Sequence, residues 1–589
     1  MFTLDNLTRR LEEEINNLSD LPPEISEIIL SFMGASTVLK ATESAKMFEL
    51  ILQGSDKLIS KLTLRMKYPA ELGRCAKTIL FSDRNYRNLE ISRSRDRVEV
   101  DDRLSQSLFY KLGQTVRSLK IDWAQVSRAR EDQVLSYLLT RHGRADEEDE
   151  ENGFRDRMHR AATCQSLAHA WSREDVQAEF INIIKYFGQV EKLILLNLSL
   201  ETQRPPVIIN TQFNKLKDLK LKHCDAHCYR ILASATQLHK LDVSDSWWSS
   251  RLPGMESFET FLVRQKCLKH LQLKNFQVPR LFSTDRSEEI AFKLDNLVLK
   301  TVFFADRNIA NQFFRTQNEL KSIEFEVQND RVRSLDQMQW YNQILRTIVT
   351  LRMLHTIKIA KIRYKIENHD FLSNISNPAM KHLTFRVTEE DKSYDLFKSF
   401  IRIFPNLVSV SFKADESDDT DSGICFDEGT VLEKVESLSI KNSSVRSLVN
   451  VHAASLSKFE YVPGKTGEFI DDLFGGFFHR HRNIKQLVIG SNSERSYFFI
   501  SFCLCEIIVN FLTQLESITI YKFGEVNKSV KLLTQNLPKL KTLTISTSDY
   551  QQFTAKTKVE CSRNDLKIIH EPLPQLDPTQ GGYPDAVVL

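Results

Sequence analysis

A short pattern recurs through most of this chain: two apolar residues three positions apart, followed two positions later by a third. Leu216-Lys-Asp-Leu219-Lys-Leu221 is a clear copy. Fourteen further copies begin at Val116, Val190, Leu238, Leu268, Leu294, Leu320, Leu354, Met380, Leu407, Val435, Leu456, Ile484, Leu515 and Leu540. The thirteen steps from Val190 to Leu540 cover 350 residues, or about 27 residues per step. A repeated unit of this length constrains the fold more than any other feature of the sequence.

The pattern predicts one short strand per copy. Its last two apolar positions, such as Leu219 and Leu221, flank a polar one, so one face of the strand is buried and the other meets water. Between copies, apolar residues fall at helical spacing, in stripes such as Phe397, Phe400, Ile401 and Phe404, or Ile344, Leu345, Ile348 and Leu351. One such unit cannot bury its own apolar face, so neighbouring units must stack. We therefore predict an α/β leucine-rich-repeat solenoid, with a parallel sheet on its concave face and helices on its convex face.

The predicted repeat domain spans residues 56–570, with irregular first strands near 62–64 and 86–91. Acidic runs interrupt it at 146–151, within an insertion near 144–158, and at 415–421. Such runs favour solvated, disordered loops, with phosphorylation or partner contact as the alternative. After the first insertion an amphipathic helix is expected, carrying Val176, Phe180, Ile183, Ile184 and Phe187. Residues 571–589 hold four prolines and no repeat, which predicts a flexible tail.

A different pattern precedes the repeats. Residues 1–18 form a separate N-terminal segment, and residues 19–55 predict three short helices. Pro22 and Pro23 suit the first turn of a helix, and Gly34 can end that helix. Ser36 can cap a second helix. Three short helices bury little apolar surface by themselves, so some of that surface is expected to face a partner.

This segment resembles the F-box, a module often followed by leucine-rich repeats. The resemblance rests on Leu21-Pro22-x-Glu24-Ile25-x-x-x-Ile29-Leu30-x-x-Met33, on Val38-Leu39 and on Ser44-x-Lys46-x-Phe48. It departs from the family at Phe48, where tryptophan is usual, and at Thr42-Glu43, where aliphatic residues are frequent. The resemblance implies docking on a Skp-type adaptor, and through it on a cullin–RING ubiquitin ligase, by Leu21, Pro22, Ile25, Ile29, Leu30 and Val38. The alternative is a helical cap that shields the open core of the first repeat.

Charge and cysteine content limit the partners and the compartment. Lys and Arg number 80 against 77 Asp and Glu, a formal net charge of +3, so neither general nucleic-acid binding nor membrane-surface binding is expected. The N-terminus has no apolar signal region, and the longest apolar run, 498–512, is too short to span a bilayer and predicts a buried helix. Nine scattered cysteines, an odd number, favour reduced thiols. We expect a cytoplasmic or nuclear protein without a membrane anchor.

Catalytic and metal-binding motifs are missing from the sequence. It contains no GxGxxG, GxxxxGK[ST], HExxH or GxSxG pattern, so an enzyme is not expected, nor is a cofactor. His223, Cys224, His227 and Cys228 could supply metal ligands, but Cys224 occupies the Asn/Cys position of its repeat, where it only has to fill a turn. We therefore predict a structural cysteine and no metal site. His479 and His481 are expected to be solvated.

The position after the last apolar residue of each copy carries an excess of cations. From Leu216 to Leu540, six of these thirteen positions are basic: Lys222, Lys274, Lys300, Arg386, Lys413 and Lys441. Stacked strands would align them into a ladder able to attract an acidic or phosphorylated protein segment. Together with this ladder, the resemblance to the F-box implies a non-catalytic substrate-recognition subunit of a Skp/cullin/F-box-type ubiquitin ligase. The alternative is a repeat scaffold or inhibitor unconnected to ubiquitination, and a nucleic-acid adaptor is a third, weaker possibility.

Overall fold

The computed structural model describes residues 62–81, 85–94, 101–123, 178–198, 212–224, 234–246, 258–275, 290–300, 307–326, 335–362, 374–387, 394–414, 429–443, 450–463, 471–490, 500–521, 525–547 and 566–572, with Leu30, Ser55, Leu58, Cys228, Leu372, Phe426 and Leu448. The predicted insertion at 144–158, the acidic run at 415–421 and nearly all of the predicted F-box lie outside the described residues. The chain divides into two compact units, residues 1–281 with 288–292 and residues 282–287 with 293–589.

The first unit is built on seven strands that pair in parallel in chain order. They are β1 (Thr63–Tyr68), β2 (Asn88–Arg93), β3 (Ser118–Asp122), β4 (Lys192–Leu196), β5 (Asp218–Lys222), β6 (Lys240–Ser244) and β7 (His270–Lys274). Its described helices are α1 (Leu72–Leu80), α2 (Asp102–Thr115) and α3 (Phe258–Val263), and residues 178–184 are also helical. After each strand the chain therefore returns to form the next strand beside it, as stacked repeats require.

The second unit continues the same design over eleven parallel strands. They are β8 (Asn296–Lys300), β9 (Ser322–Glu326), β10 (Thr356–Ile362), β11 (His382–Val387), β12 (Ser409–Ala414), β14 (Ser437–Ser443), β16 (Lys458–Pro463), β17 (Gln486–Ile489), β18 (Ser517–Tyr521), β19 (Thr542–Thr547) and β20 (Lys567–Pro572). Two further short strands, β13 (Thr430–Val431) and β15 (Val451–His452), pair with each other in a separate small sheet.

Helices connect several strands of the second unit. They are α4 (Arg307–Thr316), α5 (Leu335–Val349), α6 (Tyr394–Ile403), α7 (Asp471–Arg480), α8 (Phe502–Phe511) and α9 (Val526–Asn536). The predicted stripe on α6 is buried at Phe397 and Phe400, and Phe404 is buried just past the helix end, while Ile401 is half-buried. The apolar run at 498–512 contains α8, as predicted. No helix in the described parts of the chain is long and apolar enough to cross a membrane.

The repeated pattern coincides with the strands throughout. Each of the fifteen copies contains a strand at its last two apolar positions, and β1 and β2 confirm the irregular start. In β5, Leu219 and Leu221 are buried while Lys220 between them is partly exposed. The strand β20 was not predicted, and it extends two residues beyond the predicted domain end at residue 570. The sequence therefore predicts the α/β repeat architecture but places its end two residues too early.

Aromatic side chains fill the space between the sheet and the helices. In the second unit, the ring of Phe385 on β11 lies 5.5 Å from that of Phe397 and 6.1 Å from that of Phe400, both on α6. Phe397 also packs edge-on against Phe412 on β12, at 5.2 Å. All four rings are fully buried. Burying each stabilises the fold by roughly 1.5–3 kcal/mol, which explains how the many phenylalanines of this chain support the sheet.

A buried polar side chain just after a helix recurs in both units. Oε1 of Gln265 accepts a hydrogen bond from the Leu238 amide at 3.3 Å, and Oε1 of Gln317 accepts one from the Leu294 amide at 2.9 Å. Nε2 of His481 does the same for the Ala453 amide at 3.0 Å. In each case the side chain that accepts lies one repeat further along the chain than the backbone amide that donates. All three side chains are at least 97 % buried. The prediction that His481 is solvated is therefore wrong, whereas His479 is exposed as predicted.

Candidate recognition surface

The face of the sheet turned away from the helices carries the polar side chains of the strands. Because neighbouring strands pair with matching positions, equivalent side chains fall into rows that run across each unit. On β5, Asp218, Lys220 and Lys222 point to this face, and the corresponding residues of the other strands continue the three rows. We call this the polar face; it presents side chains at the strand spacing of about 4.8 Å.

Of the residues predicted to contact the adaptor, only Leu30 is described. It is helical, and its side chain is 2 % exposed. Leu21, Pro22, Ile25, Ile29 and Val38 lie outside the described residues. The adaptor contact therefore stays a prediction.

The six predicted substrate-binding cations all lie within the last three residues of their strands, on the polar face. Lys222 and Lys274 belong to the first unit, and the other four belong to the second: Lys300, Arg386, Lys413 and Lys441. The structure brings Arg386, Lys413 and Lys441 into one row, because β11, β12 and β14 pair directly at these positions. The ladder is thus continuous over three strands of the second unit and interrupted elsewhere by other residue types.

Carboxylates from the middle row neutralise two of these cations. Lys300 forms an ion pair with Glu324 of β9, and Nζ of Lys441 lies 2.7 Å from the Glu460 carboxylate of β16. Glu460 also accepts a hydrogen bond from Ser439 at 2.8 Å. The count of cations within one row does not predict these pairs, because each pair joins residues of two neighbouring rows. Lys222, Lys274 and Lys413 have no carboxylate partner among the described residues.

Similar pairs occupy the middle row of the first unit. Lys220 Nζ lies 3.2 Å from Asp242, whose carboxylate also accepts hydrogen bonds from Gln272 at 2.5 Å and Ser244 at 3.0 Å. Nearer the start of the unit, Glu90 lies between Arg65 and Lys120. The hydrogen bond from Lys120 lowers the pKa of Glu90, with a smaller contribution from Arg65, against the opposing effect of partial burial. Much of this polar face is therefore internally compensated in charge.

A second ladder follows the strand ends and was missed in the sequence. Asn197, His223, Asp245 and Asn275 each stand directly after a strand and have positive φ angles of 47–56°. The side-chain Nδ2 of Asn197 donates to the Asp122 carboxylate at 2.8 Å, and that of Asn275 donates to the Asp245 carboxylate at the same distance. Apart from glycine, asparagine and aspartate tolerate this left-handed conformation best, so their recurrence after the last strand position was the available signal.

The cysteines of the predicted turn are buried and bonded to the backbone. Cys224 is 1 % exposed, and its thiol lies 3.4 Å from the Leu195 carbonyl oxygen, while its amide donates to Ser246 at 3.0 Å. The Cys228 thiol lies 3.6 Å from the Leu198 carbonyl oxygen. These contacts agree with the predicted structural role of Cys224. The described residues contain no group of three or more potential metal ligands.

Burial holds several titratable side chains in their neutral forms. Burial raises the pKa of the Cys505 thiol to about 12. The Tyr461 hydroxyl also has a raised pKa because it is buried. Activated nucleophiles need the opposite shift, toward the thiolate or another reactive anion. These groups therefore serve the core rather than a reaction.

One cavity of about 430 Å³ lies in the second unit, between α6 and the segment that carries β13. Its wall includes apolar groups of Ile401, Phe404 and Leu432 and the cations Arg402 and Lys434. The cavity adjoins the helices and not the polar face, so none of the six predicted cations lines it.

No family model matches this chain, and no curated protein sequence matches it either. The F-box and leucine-rich-repeat resemblances therefore stay predictions from the residue pattern.

Proposed function

We propose that this chain is the substrate-recognition subunit of a Skp/cullin/F-box-type ubiquitin ligase. In this proposal residues 19–55 dock on the adaptor, and the polar face binds a protein substrate. The polar face is the observation that carries the proposal. A stack of in-register strands offers many partly exposed polar side chains at fixed spacing, and such surfaces suit the recognition of an extended macromolecule.

The chemistry expected of such a subunit is positioning. A receptor that holds the substrate close to a ubiquitin-loaded carrier raises the effective concentration of the substrate lysines, and it needs no catalytic group of its own. The neutral state of the buried Cys505 and Tyr461 fits this role. The cytoplasm and the nucleus are the compartments in which the proposed partners would be met.

The decisive experiment is co-purification of the full chain with a co-expressed Skp-type adaptor. We expect the adaptor to be retained by the wild-type chain and lost from the double variant Leu21→Ala with Pro22→Ala. A matched control replaces two exposed apolar residues of the repeats, Met353→Ala with Val431→Ala, and should retain the adaptor. Circular dichroism and a thermal melt check that both variants are folded.

Failure of the wild-type chain to retain any adaptor would contradict the proposal and favour the scaffold or inhibitor. Loss in the control variant as well as in the Leu21→Ala, Pro22→Ala variant would show that the assay does not report on residues 19–55.

A further inference from the structure

The cavity beside α6 lies where a helix of one repeat meets a short strand of the next. One of its sides is formed by α6, and the other by the segment that carries β13, a strand of only two residues. A helix with its side chains is about 10 Å wide, whereas neighbouring strands lie about 4.8 Å apart, so a strand fills less of the space beside α6 than a second helix would. This difference explains a cavity of about 430 Å³ at this junction. Sites for small molecules begin at about 300 Å³.

The inner wall of the cavity is apolar. Phe404, Phe426, Leu432 and Val435 line it, and none of these residues is more than 5 % exposed. Val431 also lines the cavity but is 53 % exposed, which marks the side that opens to solvent. Apolar groups around an empty space lack partner atoms on one side, and an apolar body in the cavity would restore those contacts.

Cations also line the cavity. Lys398 and Arg402 lie one turn apart on α6, and Lys434 follows β13. Nζ of Lys434 donates a hydrogen bond to Oδ1 of Asn406 at 2.6 Å, which uses one of the three N–H donors of an ammonium group. Against these three cations the wall holds one carboxylate, that of Glu433. The cavity therefore combines an apolar interior with an excess of positive charge.

A backbone donor borders the same space. The Leu432 amide donates to the His452 carbonyl oxygen at 2.7 Å, so Leu432 presents its backbone groups to β15. Successive residues of a strand present theirs to opposite edges, and those of Val431 therefore face the other edge, on the cavity side. Among the described residues no group accepts a hydrogen bond from the Val431 N–H. An N–H donor beside several cations suits an anion.

We propose that this cavity binds a small amphipathic organic anion, with one anionic head group on a ring system or on a medium-length acyl chain. The apolar body packs against Phe404 and Leu432. The head group accepts hydrogen bonds from the Arg402 guanidinium and the Val431 N–H, and the two lysines add point charges. This site is separate from the polar face and from residues 19–55, so it depends on neither substrate binding nor adaptor docking.

Other occupants match the cavity less well. Inorganic phosphate has no apolar part to fill the interior, and a hydrocarbon leaves the cations and the Val431 N–H without a partner. A partner strand that extends a sheet needs a longer edge, because β13 has only two residues and offers the backbone groups of one of them on this side. A small amphipathic anion uses the apolar interior, the cations and the backbone donor together.

The test is a fluorescence titration of the full chain with two probes. Anilinonaphthalene sulfonate carries one sulfonate group, and N-phenylnaphthylamine has the same apolar body without it; both fluoresce strongly when they leave water. We expect the charged probe to bind at least about tenfold more tightly than the neutral one, a difference of about 1.4 kcal/mol. Lys398→Gln with Arg402→Gln should remove this preference and leave the affinity for the neutral probe unchanged.

Matched variants separate the cavity from the rest of the surface. Lys528→Gln with Lys531→Gln removes two cations from α9 and should change neither affinity. Val431→Asp places a negative charge at the open side and should weaken binding of the charged probe by about tenfold or more. Val431→Asn has the same size without the charge and should have a much smaller effect. Because Val431 is exposed, both variants should fold, which circular dichroism checks.

Equal affinity of the wild-type chain for both probes would overturn the proposal, as would an equal loss in the α9 variant. The acidic run at 415–421 is a competing occupant, because it ends shortly before Phe426. A variant with its aspartates and glutamate changed to the corresponding amides should bind the charged probe as the wild type does; binding seen only in that variant would assign the cavity to the run and overturn the proposal. A wild-type dimer that dissociates in Val431→Asp, measured by sedimentation, would assign the cavity to a second copy, with the same consequence.

Discussion

Protonation of His481 should destabilise the fold, because both nitrogens of its ring are already committed. Nε2 accepts a hydrogen bond from the Ala453 amide at 3.0 Å, and Nδ1 lies 2.8 Å from the Phe477 carbonyl oxygen, to which it must donate. These partners assign the neutral tautomer with its proton on Nδ1. A second proton, on Nε2, would face the Ala453 N–H group. The cationic ring would therefore lose a hydrogen bond and gain a repulsive contact.

The magnitude follows from the pKa of this group. Burial is the largest cause that lowers the pKa of His481, to about 4; the Phe477 carbonyl opposes it, and the charges of Arg480 and His452 lower the pKa further. In the unfolded chain the same ring has a pKa of about 6.5. Above that pH the ring is neutral in both states, and its contribution to stability is complete. As the pH falls below about 6.5, the ring is protonated in the unfolded chain but not in the folded chain. The free energy of unfolding therefore falls by about 1.4 kcal/mol per pH unit. The loss reaches roughly 3 kcal/mol near pH 4, where the folded ring also begins to protonate.

The measurement compares urea unfolding of the wild-type chain and His481→Gln between about pH 4.5 and 8. Glutamine is the matched replacement because Gln265 and Gln317 make the equivalent hydrogen bond after α3 and α4. We expect the two proteins to differ by less than about 1 kcal/mol at neutral pH, and the variant to gain relative stability steadily as the pH falls. His481→Ala, which leaves the Ala453 amide unpaired, should lose about 1–3 kcal/mol even at neutral pH. A stability difference between wild type and His481→Gln that does not change with pH would refute the reasoning.

Two local features of the first unit give further predictions. Gly113 in α2 has no room for a side chain, because a Cβ atom there would lie 2.1 Å from the Tyr186 carbonyl oxygen; Gly113→Ala should lower the urea midpoint by the equivalent of roughly 1–3 kcal/mol or more. Gly73→Ala in α1 is its control, since no atom lies within 4 Å of the new methyl group, and it should raise stability by up to about 1 kcal/mol. Asp101 caps α2 by accepting hydrogen bonds from the amides of Arg103 and Leu104, so Asp101→Ala should cost about 1 kcal/mol in the same assay, whereas Asp101→Asn should be nearly neutral. Equal effects of the two glycine variants would contradict the packing argument, and equal effects of the two Asp101 variants would contradict the capping argument.

The strands could be predicted from the sequence because each one repeats the same physical requirement. In each strand, two apolar residues at alternate positions must face the core. Leu219 with Leu221, and Leu383 with Phe385, are two examples of such pairs. Strand β20 breaks the rule, since Ile568 and Ile569 are adjacent and both half-exposed, and it is held by pairing with β19 instead. A pattern of alternating burial cannot reveal such an edge strand.

Other features could not be predicted because different residue types perform one task. After α3, α4 and α7, one side chain accepts a hydrogen bond from a backbone amide of the preceding repeat. That side chain is a glutamine after α3 and α4 but a histidine after α7. A search for one residue type does not detect this equivalence, and His481 was therefore placed in solvent. The ion pair between Lys300 and Glu324 was missed for a related reason, because the partners occupy different rows of different strands.

The hydrogen bonds of Gln265, Gln317 and His481 make each of three repeats dependent on the next. The amides of Leu238, Leu294 and Ala453 have their acceptors in side chains that lie 23–28 residues further along the chain. If the later repeat opens, the earlier amide is left without a partner inside an apolar core, which is costly. Opening of one repeat should therefore propagate backward toward the N-terminus at these junctions more readily than forward. The rate of hydrogen exchange at the Ala453 amide would then report on opening of the repeat that contains His481. These hydrogen bonds therefore set the direction in which the repeats open.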